Sequence, residues 1–341
     1  MIIKSVKLNN FRSHREFLLS CWKMTTMITG ENGGGKTSIL EAIYETTQGK
    51  SFRAVDREII KRGEKFYRVE LEYQSGERVV VVFEADESKR GGRKTFLCGD
   101  KKFGRLPKKY KYPVVLFLPD DLGLVAASPG RKREYFDRSF GGLSEQYSNS
   151  LAKYNKALKQ RNELLKSDFL SEESAFSWNL LLAKYGVEIR KFREKIIREI
   201  NTKITEVYRG IAENKDEISI KYEADTEGFE ESSYLSRLEA EFSRDRILGH
   251  TGFGVHKDNY NFLFNRAEAD GSASRGEVRS IIIALKFIEA EMILKTYQKE
   301  PIVLLDDVFS ELDETRQKAL VKNFKKNQVF ITSVNGVEDL E

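Results

Sequence analysis

Polar and apolar residues alternate over Met1-Ile2-Ile3-Lys4-Ser5-Val6-Lys7-Leu8, which predicts an opening strand and lacks the apolar run and cleavage site of a secretion leader. Residues 25–29, in a strand-rich stretch, lead into a glycine-rich loop, and Ile39-Leu40-Glu41-Ala42-Ile43-Tyr44 continues beyond it as a helix. Residues 67–73 and 78–84 read as a β-hairpin turned at Ser75-Gly76, and 113–118 as a short buried strand. From about 131 to 211 the pattern switches to helical spacing. It predicts two long helices, 131–166 and 175–211, separated at Ser167-Asp168, with Gly141-Gly142 and Gly186 as expected breaks. No heptad seam persists, so an extended coiled coil is disfavoured. The last hundred residues return to α/β texture: an apolar helix from Ile281, then strands at 302–305 and 329–332 of the uniformly apolar, parallel-sheet kind.

Composition narrows the class. A chain of 341 residues suggests two or three domains. Lys and Arg number 58 against 53 acids, a net charge of +5, which suits nucleic acid without requiring it. Cys21 and Cys98 have no metal-ligand spacing, and no apolar run reaches the roughly 18 residues of a membrane span, so a reduced, cytoplasmic setting without membrane contact is expected.

Chemistry enters at opposite ends of the chain. Gly30-Glu31-Asn32-Gly33-Gly34-Gly35-Lys36-Thr37, followed by Ser38, fits G-x-x-x-x-G-K-[ST], placed after a strand and before a helix. The glycines turn backbone N–H groups around phosphates, Lys36 reaches the β and γ phosphates, and Thr37 holds Mg²⁺. Far downstream, Ile302-Val303-Leu304-Leu305-Asp306-Asp307 is an apolar strand ending in two acids, as in a Walker B motif. Asp306 is the expected second Mg²⁺ partner of bound ATP, and Asp307 stands where ABC-type enzymes carry the glutamate that polarises the attacking water. Being shorter by one methylene, it predicts slow turnover. Ser310-Glu311-Leu312-Asp313 resembles a D-loop.

Ser274-Arg275-Gly276-Glu277 resembles the ABC signature. Ser274 is placed either to cap a helix or, with Gly276, to meet the ATP of a second protomer. Glu277 adds a negative charge there, which would weaken ATP-driven dimerisation unless offset. Arg12, in Asn10-Phe11-Arg12-Ser13-His14, is a candidate phosphate ligand or a surface arginine. His14, His250 and His256 have no spacing for a metal site. Basic clusters at 89–94, 101–102, 108–111 and 131–133 could line up as one stripe for DNA phosphates, with no base-reading module beside it.

Taken together, Ser51-Phe52-Arg53, Pro119-Asp120-Asp121-Leu122, the run 128–137, and Tyr154, Arg161-Asn162, Thr251, Gly254, His256 and Asp258 resemble the RecF family of SMC-like ATPases. Val255 and Lys257 depart from that pattern. The resemblance implies an α/β fold: an ABC-type P-loop ATPase head, of mixed sheet plus antiparallel β lobe, with an inserted α-helical arm domain. The expected division is 1–105 and 246–341 for the head and 106–245 for the arm. It further implies an ATP-sandwiched homodimer that binds double-stranded or gapped DNA, works with RecR and RecO, and helps load RecA. The alternatives are an SMC-like ATPase of another role, such as nuclease regulation in phage defence, or a scaffold with static ATP.

Overall fold

The computed structural model describes residues 2–86, 91–167, 172–224 and 229–334. Two compact units emerge, Met1–Pro119 with Glu289–Glu341, and Asp120–Ile288. The expected arm of 106–245 differs from this division at both ends. Val114–Phe117 hydrogen-bonds into a sheet with the C-terminal strands, and Asn259–Phe264 pairs with Ile218–Glu223, which keeps chain beyond 245 in the second unit.

In the first unit a six-stranded antiparallel sheet runs in the order β2 (His14–Ser20), β1 (Ile3–Phe11), β4 (Phe66–Tyr73), β5 (Arg78–Ala85), β6 (Gly92–Cys98), β7 (Lys101–Phe103). The predicted hairpin is β4 and β5. A parallel sheet follows the order β3 (Thr25–Thr29), β13 (Val329–Ser333), β12 (Ile302–Asp306), β8 (Val114–Phe117). Every residue of β12 and β13 is buried, including Asp306, Thr332 and Ser333 at the ends of their apolar runs. Helix α1 (Lys36–Gln48) packs against both sheets and is buried from Ser38 to Thr47. Ile39, Leu40, Ala42 and Ile43 join the core with Val6, Leu8, Val69, Val81 and Leu304. The same burial engulfs Glu41 and Glu45, whose charges would each cost several kcal/mol without partners. Short α2 (Asp56–Ile59) and, later in the chain, α11 (Glu314–Asn323) complete this unit.

The second unit carries α3 (Pro129–Leu143), α4 (Glu145–Leu164), α5 (Glu172–Asn201), α6 (Ile204–Ala212), β9 (Ile218–Glu223), α7 (Glu231–Ala240), α8 (Phe242–Leu248), β10 (Asn259–Phe264), β11 (Ala267–Glu268) and the turn α9 (Ala269–Ser272). The division between units falls within α10 (Arg275–Tyr297). The first predicted long helix is two: Ser144 leaves helical backbone at φ −145°, and its hydroxyl caps α4 by accepting from the Tyr147 N–H at 3.2 Å. The second predicted helix parts between Asn201 and Ile204. Gly186 breaks nothing. It sits inside α5, where a Cβ would approach the Tyr234 ring to 2.6 Å, so its role is close packing. Ser167 follows α4, while Asp168 lies outside the described residues.

Candidate nucleotide site

The loop between β3 and α1 wraps the start of a cleft of about 470 Å³. Gly30, Gly33 and Gly35 have positive φ, and the Gly34 N–H closes a turn onto the Glu31 carbonyl at 3.1 Å. Gly35 admits no side chain: at φ +86° its Cβ would lie 2.4 Å from His14 Nε2 and 2.5 Å from Ser13 Oγ. Lys36 folds its ammonium back onto the carbonyls of Gly30 and Glu31, at 2.6 and 2.9 Å, spanning the loop that phosphates would fill. Asn32, Thr37 and Ser38 also line the cleft.

The far end of the sequence arrives here through the parallel sheet. Thr37 donates to Asp306 Oδ1 at 2.8 Å, joining residues 269 positions apart. The Thr332 hydroxyl donates to the same oxygen at 2.8 Å and accepts the Asp307 N–H at 2.9 Å. Asp307 has φ +49°, and its Oδ1 is buried without a hydrogen-bond partner among the described residues. Asp313 of the D-loop-like segment caps α11, accepting from the Arg316 N–H at 2.9 Å.

Arg12 lines the cleft with its guanidinium clamped by Glu41, through Nε at 2.9 Å and Nη2 at 2.7 Å, and by the Glu58 carbonyl at 2.9 Å. Arg53 shares that carboxylate at 2.9 Å, and Ser51 donates to it at 2.7 Å. Burial alone would raise the Glu41 carboxyl; the hydrogen bonds from Arg12, Ser51 and Arg53 overcome it and hold the group below the usual range. Of the five Arg12 N–H donors, these bonds use three, so the residue can face a phosphate while anchored. Glu45 is tied to Lys94 and receives the Tyr67 hydroxyl at 2.8 Å, yet burial still raises its carboxyl.

Sequence reasoning passed over Glu41 and Thr332 and met Arg53 only within a resembling segment. The available signals were a glutamate inside an apolar helix and a lone threonine in an apolar strand.

Ser274 and Gly276 belong to the second unit. Ser274 precedes α10 in a reciprocal cap: its N–H donates to Glu277 Oε2 at 2.6 Å, and its hydroxyl accepts the Glu277 N–H at 3.3 Å. The Glu277 charge is thus turned onto its own helix start, a position that glutamine could fill equally well. The basic clusters separate. Lys89 and Arg90 lie outside the described residues, Lys94 is held by Glu45 and Asp56, and Lys132 is buried. Arg131 pairs with Asp120 at 2.6 Å, and Arg133 donates to the Asp258 carbonyl at 2.8 Å. Lys101, Lys102, Arg105, Lys108, Lys109 and Lys111 remain exposed on β7 and the segment after it.

A glycine loop on a helix start, meeting an acid-tipped parallel strand beside an antiparallel lobe, defines an ABC-type P-loop ATPase head, here with a helical arm domain. A family model described as the AAA ATPase domain matches residues 1–335. The chain is 31% identical to the DNA replication and repair protein RecF of Clostridium acetobutylicum, covering 100% of this chain and 94% of that one. The Staphylococcus aureus RecF is likewise 31% identical, over 99% of this chain and 95% of its own length. Solved structures of the recombination mediator protein RecF in the RecFOR pathway superpose with TM-scores of 0.85 for the ATPrS form and 0.84 for the ATP form. They are 27% and 26% identical, covering 99% and 100% of this chain and 94% and 93% of those chains. The chain belongs to the RecF family: it is an ATP-binding ATPase of DNA replication and repair. Among the described residues, no helix is long and apolar enough to cross a membrane.

Proposed function

We propose that this protein is a cytoplasmic ATP-driven clamp: ATP binding pairs two copies on double-stranded or gapped DNA, and slow hydrolysis resets them. The observation that carries the reading is the union of Thr37 with Asp306, beside an Asp307 carboxylate oxygen that has no hydrogen-bond partner among the described residues. Lys36 and the backbone of residues 30–38 would hold the phosphates, with Arg12 beside them. Ser274 and Gly276 would meet the partner copy's ATP. Thr37 and Asp306 suit Mg²⁺, which binds through few protein oxygens together with substrate phosphates. When bound, the ion neutralises charge on the transferring phosphoryl group.

The exposed lysines and arginine between 101 and 111 suit sequence-tolerant contact with DNA phosphates. RecR, with RecO, would act on the DNA-bound dimer and help load RecA, in keeping with the pathway of the solved RecF structures.

The test is duplex DNA anisotropy and light scattering with no nucleotide, ADP or ATP, on the parent chain and on Asp307→Asn. ATP alone should drive both dimer mass and DNA binding, and Asp307→Asn should prolong them. Lys36→Ala should lose nucleotide affinity by about 100-fold or more and bind DNA no better with ATP than without. DNA binding equal in all three nucleotide states would reduce the basic segment to simple electrostatics and sink the clamp.

A further inference from the structure

The backbone of Asp307 is held at φ +49°, in the left-handed region. A Cβ crowds the backbone there, so even aspartate, which visits it more readily than most residues, is favoured in it when neighbours hold it in place. Two side chains impose it here. The Asp307 N–H is shared between the Thr332 hydroxyl at 2.9 Å and the Thr332 carbonyl at 3.2 Å. The Asp307 carbonyl accepts the Ser310 hydroxyl at 2.7 Å.

Proton accounting settles the direction of these bonds. Thr332 has one hydroxyl proton, and Asp306 Oδ1 at 2.8 Å is its near acceptor; the Leu305 carbonyl, at 3.5 Å, is the weaker one. The hydroxyl's lone pairs are then free to take the Asp307 N–H. One buried oxygen thereby ties the two acids together. Asp307 is left lining the cleft with Oδ1 buried and, among the described residues, without a hydrogen-bond partner.

We propose that Thr332 is a positioning residue for ATP hydrolysis: with Ser310 it clamps the Asp307 backbone in the left-handed form and so sets the carboxylate that receives the attacking water. The inference rests on Asp307 being the water-activating group. It also accounts for a shorter acid at this position, because the left-handed turn rather than an extra methylene would set where the carboxylate lies.

Thr332→Val keeps side-chain shape and removes only the hydroxyl. Its turnover number should fall about 10- to 100-fold, the size of effect that misplacing a catalytic group produces. Affinity for ADP and for a non-hydrolysable ATP analogue, measured with fluorescent nucleotides, should stay within about threefold, and Thr332→Ser should recover most of the rate. A second readout ignores activity. Asp307→Gly relieves left-handed strain and should raise the melting temperature of the parent, but not of Thr332→Val, where Asp307 has already relaxed.

Parental turnover in Thr332→Val alongside a slow Asp307→Asn overturns the clamp and leaves the role of Asp307 standing. Parental turnover in Asp307→Asn itself removes the reading beneath it. Analogue affinity that falls as far as the rate makes Thr332 a nucleotide-site residue acting through Asp306, which also overturns the proposal. If Thr332→Val does not fold, Ser310→Ala decides: a loss of about 3- to 10-fold in turnover at unchanged affinity supports the clamp, and the parental rate overturns it.

Discussion

The nucleotide cleft and the interior of the second unit treat charge in opposite ways. Among the described residues of the second unit, every buried arginine is answered. Arg161 meets Asp245 at 2.6 Å, Thr251 at 2.7 Å and Asn179 at 2.7 Å. Arg190 bonds Asp258 at 2.8 Å, and Arg193 lies between Asp258 at 3.1 Å and Asp137 at 2.7 Å. Tyr222 and Tyr147 donate to Asp258 and Asp137. In the cleft, by contrast, Asp307 keeps a buried oxygen without a partner among the described residues and a left-handed backbone, and Lys36 rests on carbonyls rather than on a carboxylate. Saturated charge fixes an arrangement, whereas unsaturated charge waits for a ligand. Substitutions should therefore destabilise the second unit's interior and spare, or even stabilise, the cleft.

The largest effect is expected at Asp258. Asp258→Asn removes the one charge that Arg190 and Arg193 share, leaving two adjacent guanidiniums in a buried site. Folding stability should drop by about 3–5 kcal/mol in denaturant titration, because stranding a buried charge costs more than the pair contributed. A loss under about 1 kcal/mol would mean that the network relaxes easily, and the contrast with the cleft would fade.

Next comes acid. His256 Nε2 lies 3.0 Å from the Thr251 carbonyl and Nδ1 2.9 Å from the Tyr154 hydroxyl; the carbonyl can only accept, so Nε2 carries the proton and donates it, and Nδ1 accepts from the tyrosine. Burial first, and then the positive charges of Lys257 and Arg133, push its pKa down to about 4 from the ordinary 6.5, against the Thr251 bond and Asp258. Between those values the unfolded chain binds the extra proton, so stability is complete above about 6.5 and falls as the pH drops toward 4, by at most about 3 kcal/mol. Denaturation midpoints across this window should show that slope in the parent and a shallower one in His256→Gln.

The smallest effect has the opposite sign. Asp307→Gly should raise stability by about 0.5–1 kcal/mol while abolishing turnover, whereas Asp307→Ala, which keeps a Cβ at φ +49°, should gain nothing. If glycine and alanine behave alike in melting experiments, the left-handed strain is not stored there, and the two regions differ less than the geometry implies.

Local signals made much of the fold legible. The hairpin at Gly76, the apolar runs of β12 and β13, and the glycine loop before α1 depend on neighbours in sequence, and residue type alone carries them. Gly186 misled because a helix-interior glycine reads as a weak point, and only the Tyr234 ring against it explains the residue. The scattered positions that carried the family resemblance had no derivable purpose. In the structure Tyr154, Arg161, Asn162, Thr251, His256 and Asp258 belong to the same hydrogen-bonded interior as the second unit's buried arginines.

What the sequence by itself determined is the inventory of chemistry: a phosphate loop, a metal-suited hydroxyl and acid, a second acid, and a signature-like helix start. Each is written in contiguous residues whose backbone preferences and side-chain types need no distant partner. Tertiary structure alone decided which groups are occupied and which are open. Only pairing β12 with β13 brings Thr332 to Asp306 and Asp307, and only burying α1 between two sheets turns Glu41 into the shared anchor of Arg12 and Arg53. Those contacts form between segments far apart in the chain, and burial, which makes each charge costly unless answered, is a property of the folded state.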